Sequence, residues 1–404
     1  MHKALVAVVM SCLVSVCSAE EIAVKAGDKT VSAAAARAKP GDMLVLEAGE
    51  FKDDVHLGEG VTLKGAGAGK SVIIASGFSA VSCEGDAVVI KDVTIRGAKE
   101  TRRGVNTMAG VRLERVRFEG LAEAAALMGA PLSDVVCCDF IDCDIGVRAI
   151  ADGSPTVWGC RFRGGRVGVF AIGSPYVRNN LFDGTQEGVR IVPGTSALVR
   201  NNLFVSCKSV GVVVLGGRDA FMGPVVRNNI FVSCASMASG DPKLLSRFSH
   251  EVVFGCTAGL FRDADGKAEL KFDVPQVTVV DPKITVDANG SVTYGDRAKL
   301  DGAGIRAGDE AEGTKGVIGP DPAIKVFGVA CGVAPPPARF GVDPLIANSV
   351  AEEHQYLRMH NLPFDRQSLV QGAKGPQDVF TMPGGKKVAF DISRYFGEMG
   401  IDAK

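Results

Sequence analysis

Apolar and polar residues alternate in short runs through the middle of the chain, and the runs recur. Val177-Arg178-Asn179-Asn180-Leu181-Phe182 returns as Val199-Arg200-Asn201-Asn202-Leu203-Phe204, then as Val226-Arg227-Asn228-Asn229-Ile230-Phe231. Looser copies precede them at Val157-Trp158-Gly159-Cys160-Arg161-Phe162 and Val135-Val136-Cys137-Cys138-Asp139-Phe140, with fainter ones ending at Phe118 and Ile95. The apolar anchor falls at 95, 118, 140, 162, 182, 204 and 231, mostly 20 to 23 residues apart. A second phrase trails the later anchors: Gly146-Val147, Gly168-Val169, Gly188-Val189 and Gly211-Val212. Self-similarity at such a period marks a solenoid. The unit is too short for two helices, and its alternation with Gly and Asn at the corners is that of strands. The Leu-x-x-Leu-x-Leu frame of leucine-rich repeats is absent. Each period is one coil of a parallel β-helix.

Coils of this kind stack at ~4.8 Å, so equivalent side chains lie above one another. Asn180, Asn202 and Asn229 are predicted to form a ladder at one corner, with Phe182, Phe204 and Phe231 stacked in the core. On these phrases the chain resembles the right-handed parallel β-helix superfamily, which includes pectate lyases, pectin methylesterases and NosD-like periplasmic proteins. The opening agrees: Lys39-Pro40-Gly41-Asp42, Glu47-Ala48-Gly49-Glu50-Phe51 and Gly60-Val61-Thr62-Leu63-Lys64-Gly65 are similar to the start of secreted β-helix proteins, with Phe51 where those often carry Tyr. The resemblance implies an all-β, right-handed parallel β-helix over residues 20–320, clearest at 87–234. Ala-rich Thr30–Ala38, stopped by Pro40-Gly41, reads as a helix capping the open end of the core. Residues 321–404, beyond or beside Pro335-Pro336-Pro337, read as an irregular extension or cap, with a short helix at 352–359 and a strand at Lys386–Ile392. Val252-Val253-Phe254 reads as one last coil, followed by hairpins at Asp265-Gly266 and Asn289-Gly290.

Residues 1–19 read as an export signal: Lys3, the apolar Ala4–Val16, then Cys17-Ser18-Ala19 before Glu20. No later stretch is long and apolar enough to span a bilayer. Export, in a periplasmic, cell-surface or extracellular setting, would leave nine of the 11 cysteines, an odd number. Cys138 and Cys160 share one column and Cys207 and Cys234 another, so each pair either bridges or stacks as buried thiols. A net charge of −1 argues against a nucleic-acid partner. Gly65-Ala66-Gly67-Ala68-Gly69-Lys70-Ser71 is one residue short of a phosphate-binding loop and reads as a glycine corner. Asp263-x-Asp265-Gly and Asp287-x-Asn289-Gly lack the downstream Glu of a calcium loop and read as turns. His354 and His360 lie six apart, off a shared helix face.

Candidate chemistry sits beside the second phrase. With Val147, Val169, Val189 and Val212 inward, Arg148, Phe170, Arg190 and Val213 point outward. Arg148 and Arg190, two coils apart at roughly 10 Å, flank Phe170, a set suited to an acidic sugar chain. Resemblance to pectin methylesterase tests one chemistry directly. The family's C-x-F-x-G-Y-Q-D-T-L-Y corresponds to Cys160–Phe170, where Gln falls on Arg166 and the acid/base Asp on Val167; the nucleophilic Asp falls near Glu187. Ester hydrolysis by two carboxylates is therefore not supported. Lyase chemistry would use Glu187 with Arg190 or Arg166, while Asp144 and Asp183 would contact substrate or, with Asp142, gather Ca2+; no His or Met cluster offers another metal site. An inverting hydrolase would pair Asp144 with Glu187. The expectation is a protein that binds or processes extracellular, acidic polysaccharide, as lyase or glycoside hydrolase if it is an enzyme. The rival is a non-catalytic scaffold for a cell-envelope component.

Overall fold

A computed structural model gives the fold. It describes residues 19–294 except 76, 99–100, 130–132, 151–154, 196, 217–223, 228, 247, 249–250, 272–276 and 288–291; it also describes 325–326, 329–330, 345–346, and 364–392 except 373–374. The export signal, the helix expected at 352–359, and His354 and His360 lie outside the described residues.

Three stacked sheets of ten, eleven and eleven strands form the solenoid. The first runs from Glu21–Val24 to Val225–Arg227, the second from Gly49–Lys52 to Thr278–Val279, and the third from Val55–Leu57 to Glu269–Leu270. The chain visits them in rotation, so each strand pairs in parallel with its equivalent one coil away. Only the last strand of the third sheet, after the Asp265-Gly266 turn, pairs antiparallel. The coil beginning at Val252–Phe254 is not the last: Thr278–Val279 adds another strand to the second sheet.

Register explains the repeated phrase. Phe118, Phe140, Phe162, Phe182, Phe204 and Phe231 pair one above another on the second sheet, and Ile95 and Val253 continue the column at its ends. Their rings stack at 4.6–5.0 Å between centroids and within 4–6° of parallel. That is the strand spacing itself. The second phrase exists to make room for this column. A Cβ on Gly168 would lie 2.6 Å from the Phe182 ring, and those on Gly146, Gly188 and Gly211 would strike Phe162, Phe204 and Phe231 as closely.

The doubled Asn divides its labour at the corner between the first two sheets. Asn179 and Asn201 take left-handed backbone (φ 59° and 55°), which Asn tolerates better than most residues. Asn180 and Asn202 build the expected ladder: each Nδ2 donates to the next Oδ1 at 3.0 Å, through Asn202 to Asn229. Cys160 joins below through its backbone N–H on Asn180 Oδ1. The last rung is a surprise. The Asn229 backbone N–H donates to Glu251 Oε2 at 2.7 Å, so a fully buried carboxylate ends the ladder.

At the N-terminal end, the helix Thr30–Ala35 buries Val31, Ala34 and Ala35 over the core. Its first N–H groups donate to buried Asp53 of the next coil, from Val31 and Ser32 at 2.9 Å each. The helix is shorter than Thr30–Ala38 because it closes on a tight final turn at Ala36. None of the eight described cysteines forms a disulfide. Cys138 with Cys160 and Cys207 with Cys234 stack as thiols instead; burial pushes the Cys160 thiol well up, and it pushes the Cys83 and Cys143 thiols up to about 12. Such thiols are unreactive at neutral pH.

Beyond the solenoid, Ile284–Val286 and Val292–Tyr294 pair antiparallel, while the expected turn at Asn289-Gly290 lies outside the described residues. Further on, Leu345–Ile346, Arg366–Gly372, Gly375–Thr381 and Lys387–Asp391 form a four-stranded sheet, more regular than the sequence suggested. Among the described residues no helix is long and apolar enough to cross a membrane.

Candidate functional site

The outer face of the third sheet carries the predicted row. Register places His56, Ser82, Asn106, Ala126, Arg148, Phe170, Arg190 and Val213 in one outward column. The residue three positions before each supplies a second column over part of the face: Ser79, Arg103, Glu123, Ile145, Val167, Glu187 and Val210. A small residue follows each member of the second column, Gly on most strands and Ala80 or Ala124 on two, and within that column Ile145, Val167 and Val210 are themselves buried.

Arg148, Phe170 and Arg190 therefore stand on consecutive coils as expected. Arg148 holds its guanidinium 5.0 Å from the centre of the Phe170 ring, a cation–π contact. Its Nη2 donates to Glu123 Oε1 at 2.7 Å, while its Nε is buried without a hydrogen-bond partner among the described residues. Arg190 grips Glu187 three residues earlier with a fork, Nε to Oε2 at 2.6 Å and Nη2 to Oε1. Both carboxylate oxygens of the candidate base are thus occupied.

Arg166 and Asp144 are brought together one residue before their strands, at the corner leading into this face. Nε and Nη2 of Arg166 donate to the two carboxylate oxygens at 2.9 and 3.1 Å, and this bonding, with Glu187 also near, raises the Arg166 pKa. Asp183 is not brought to the face. It lies on the second sheet, in register with Arg163, and pairs with Arg161 at 3.7 Å. The Ca2+ site imagined from Asp142, Asp144 and Asp183 does not assemble: no group of three or more His, Cys, Asp or Glu able to hold a metal occurs among the described residues.

Sequence reasoning missed Arg103 and Glu123. Glu123 is 14% exposed and accepts from both Arg148 and Arg103, the latter from Nε at 3.0 Å. Arg103-Gly104-Val105 carries the second phrase two coils before Gly146-Val147, and Gly104 also makes room for a ring, that of Phe118. In the next coil the phrase is disguised as Glu123-Ala124-Ala125.

Residues 79–240 match the family model for a right handed beta helix region. The solenoid is a right-handed parallel β-helix. Among solved structures the chain is similar to an alginate lyase from a Paenibacillus species, at 17% identity over 65% of this chain and 91% of that one, with a TM-score of 0.30. It is also similar to a family 6 polysaccharide lyase from Pseudopedobacter saltans, at 13% identity over 69% and 94%, with a TM-score of 0.39. A third is the A-module of a mannuronan C-5 epimerase from Azotobacter vinelandii, at 15% identity over 63% and 94%, TM-score 0.25. No curated protein sequence matches the chain.

Proposed function

We propose that this β-helix binds an extended acidic polysaccharide along the outer face of its third sheet, in an exported protein. One observation carries the reading: Phe170 stands between Arg148 and Arg190 on consecutive coils, with Arg148 over its ring. A sugar ring stacks on an aromatic face, and guanidinium binds carboxylate in a planar fork. Their coil spacing repeats along one line, which suits a polymer better than a small molecule. The apolar segment at 1–19, read as an export signal, would put the protein where such polymers are met.

Turnover, within this reading, depends on Arg190. Arg190 engages both carboxylate oxygens of Glu187, and a ligand carboxylate is the group that competes for Arg190. Arg166 stands at the same corner to neutralise a second carboxylate. The test applies the chain from residue 20 to polygalacturonate, alginate, pectin and neutral glycans, with and without calcium. Binding to the acidic glycans that weakens with salt is expected, and Arg148→Ala should lower affinity by about tenfold or more. Ultraviolet absorbance from unsaturated uronates would add a lyase step, and new reducing ends alone a hydrolase. Equal or absent binding to acidic and neutral glycans, or an indifferent Arg148→Ala, would remove the proposal and favour the scaffold reading.

A further inference from the structure

Charge pairs are common on this solenoid and by themselves identify nothing. Arg96 meets Glu119 on the second sheet, and Arg112 meets Asp134 on the first. What differs on the third sheet is the rings. On the first sheet the arginine-contacted rings, Trp158 and Tyr176, are buried. On the third, Arg103 lies 5.2 Å from the centre of the ring of Phe78, a residue 54% exposed. Phe78 is held by its backbone: its carbonyl accepts from the N–H groups of Arg102 and Arg103 at 3.1 and 3.0 Å. A fixed backbone that presents an open ring to solvent forgoes the burial a phenylalanine ordinarily gains.

Phe78 also borders the site, one residue before Ser79, the register partner of Arg103. Five consecutive coils contribute one group each: Phe78, Arg103, Glu123, Arg148 and Phe170. The series is symmetric in kind, with ring and arginine at either end and one carboxylate between them. Glu123 ties Arg103 to Arg148, and Asn106 accepts from Arg103 Nη1 at 3.0 Å, so each guanidinium is fixed beside its ring.

We propose, resting on the function above, that the binding face has a second sugar platform at Phe78, and that Phe78 and Phe170 together select long oligosaccharides. The rings stand four coils apart, ~19 Å along the axis at the strand spacing, and four positions apart along the strands, ~13 Å at the strand rise. A disaccharide reaches one ring, whereas an octasaccharide reaches both. Between them the ligand meets two arginines that share one carboxylate, a surface for hydroxyl groups and a single acidic unit.

Affinity of the full chain is measured for the disaccharide and octasaccharide of galacturonate and of alginate uronates. Phe78→Ala should weaken octasaccharide binding by about tenfold, equivalent to ~1.4 kcal/mol, and leave disaccharide binding at Phe170 unchanged. Phe78→Tyr, which retains the ring, should restore the octasaccharide. The same loss for both lengths, or no loss for either while Arg148→Ala still matters, would overturn the second platform and leave the parent reading standing. Silence of every glycan would remove both. Unfolding midpoints of Phe78→Ala and Phe78→Tyr equal to the parent's would show that the loss is one of contact, as expected for an open ring.

Discussion

Two columns run through the same coils and obey opposite rules. The inner one is Phe118, Phe140, Phe162, Phe182, Phe204 and Phe231, the same residue six times. The outer one, on the third sheet, reads Asn106, Ala126, Arg148, Phe170, Arg190 and Val213, with no residue repeated on consecutive coils. Both are set by the same register, so stacking alone does not decide their composition. Inside, each ring must fill the space its neighbour leaves, and a shared residue solves every coil at once. Outside, no stacked core has to be filled, and each position is free to do something else. Repetition in this molecule marks packing, and its absence marks the face where function has room.

Breaking the inner column should produce the largest effect. Gly168→Val places atoms where the Phe182 ring and the Gly188 carbonyl already are, each 2.6 Å from the first added carbon. Neither can retreat, because the ring is stacked on both sides. We expect a loss of about 3 kcal/mol or more. Phe170→Ala, two residues later but on the outer column, should cost about 1 kcal/mol. Urea midpoints compare the two directly, and similar values would show that the inner and outer columns are not distinct in kind.

The same contrast explains what could be read from the sequence. The coil period, the Phe stack and the Asn ladder were legible because buried columns repeat. Arg148, Phe170 and Arg190 followed from one inward valine per coil. Phe78 has no repeated phrase beside it, and Ala124-Ala125 hides the frame that would have led to Glu123. Asp183 was misplaced because it is four residues from Glu187 in the chain, while Gly184 (φ 67°) turns the corner between two sheets. Glu251 was missed because the final rung of the ladder is not an Asn.

That rung gives the next contrast, between a neutral ladder and its charged end. Burial pushes the Glu251 carboxyl well above the usual carboxylate range, although the N–H groups of Asn229 and the charge of Arg227 draw it back. A folded pKa above the unfolded value means that the native state binds the extra proton. Stability from this group is therefore greatest near pH 4, and falls as pH rises through the folded pKa. Glu251→Gln keeps an oxygen for the Asn229 N–H and carries no charge. The variant should match the parent near pH 4 and become the more stable of the two near pH 8, by about 1 kcal/mol or more. Thermal unfolding across that range measures it. A gap that stays constant with pH would mean that Glu251 titrates alike in the folded and unfolded states.

The smallest stability effect should come from the outermost pair. Arg166 and Asp144 make a good fork, yet their side chains are 45% and 51% exposed. At such exposure water competes for both partners, and the pair holds about 0.5 kcal/mol or less. Arg166→Gln should therefore leave the urea midpoint within error of the parent. Its effect on an acidic ligand is a separate quantity, because the guanidinium lies at the corner where Glu187 and Arg190 begin the face. Charge near a binding line acts on an anionic polymer through space, so affinity should fall several-fold at low salt and the difference should shrink as salt is added. If the midpoint moves while affinity does not, Arg166 belongs with the structural columns, and the functional face stops at Glu187.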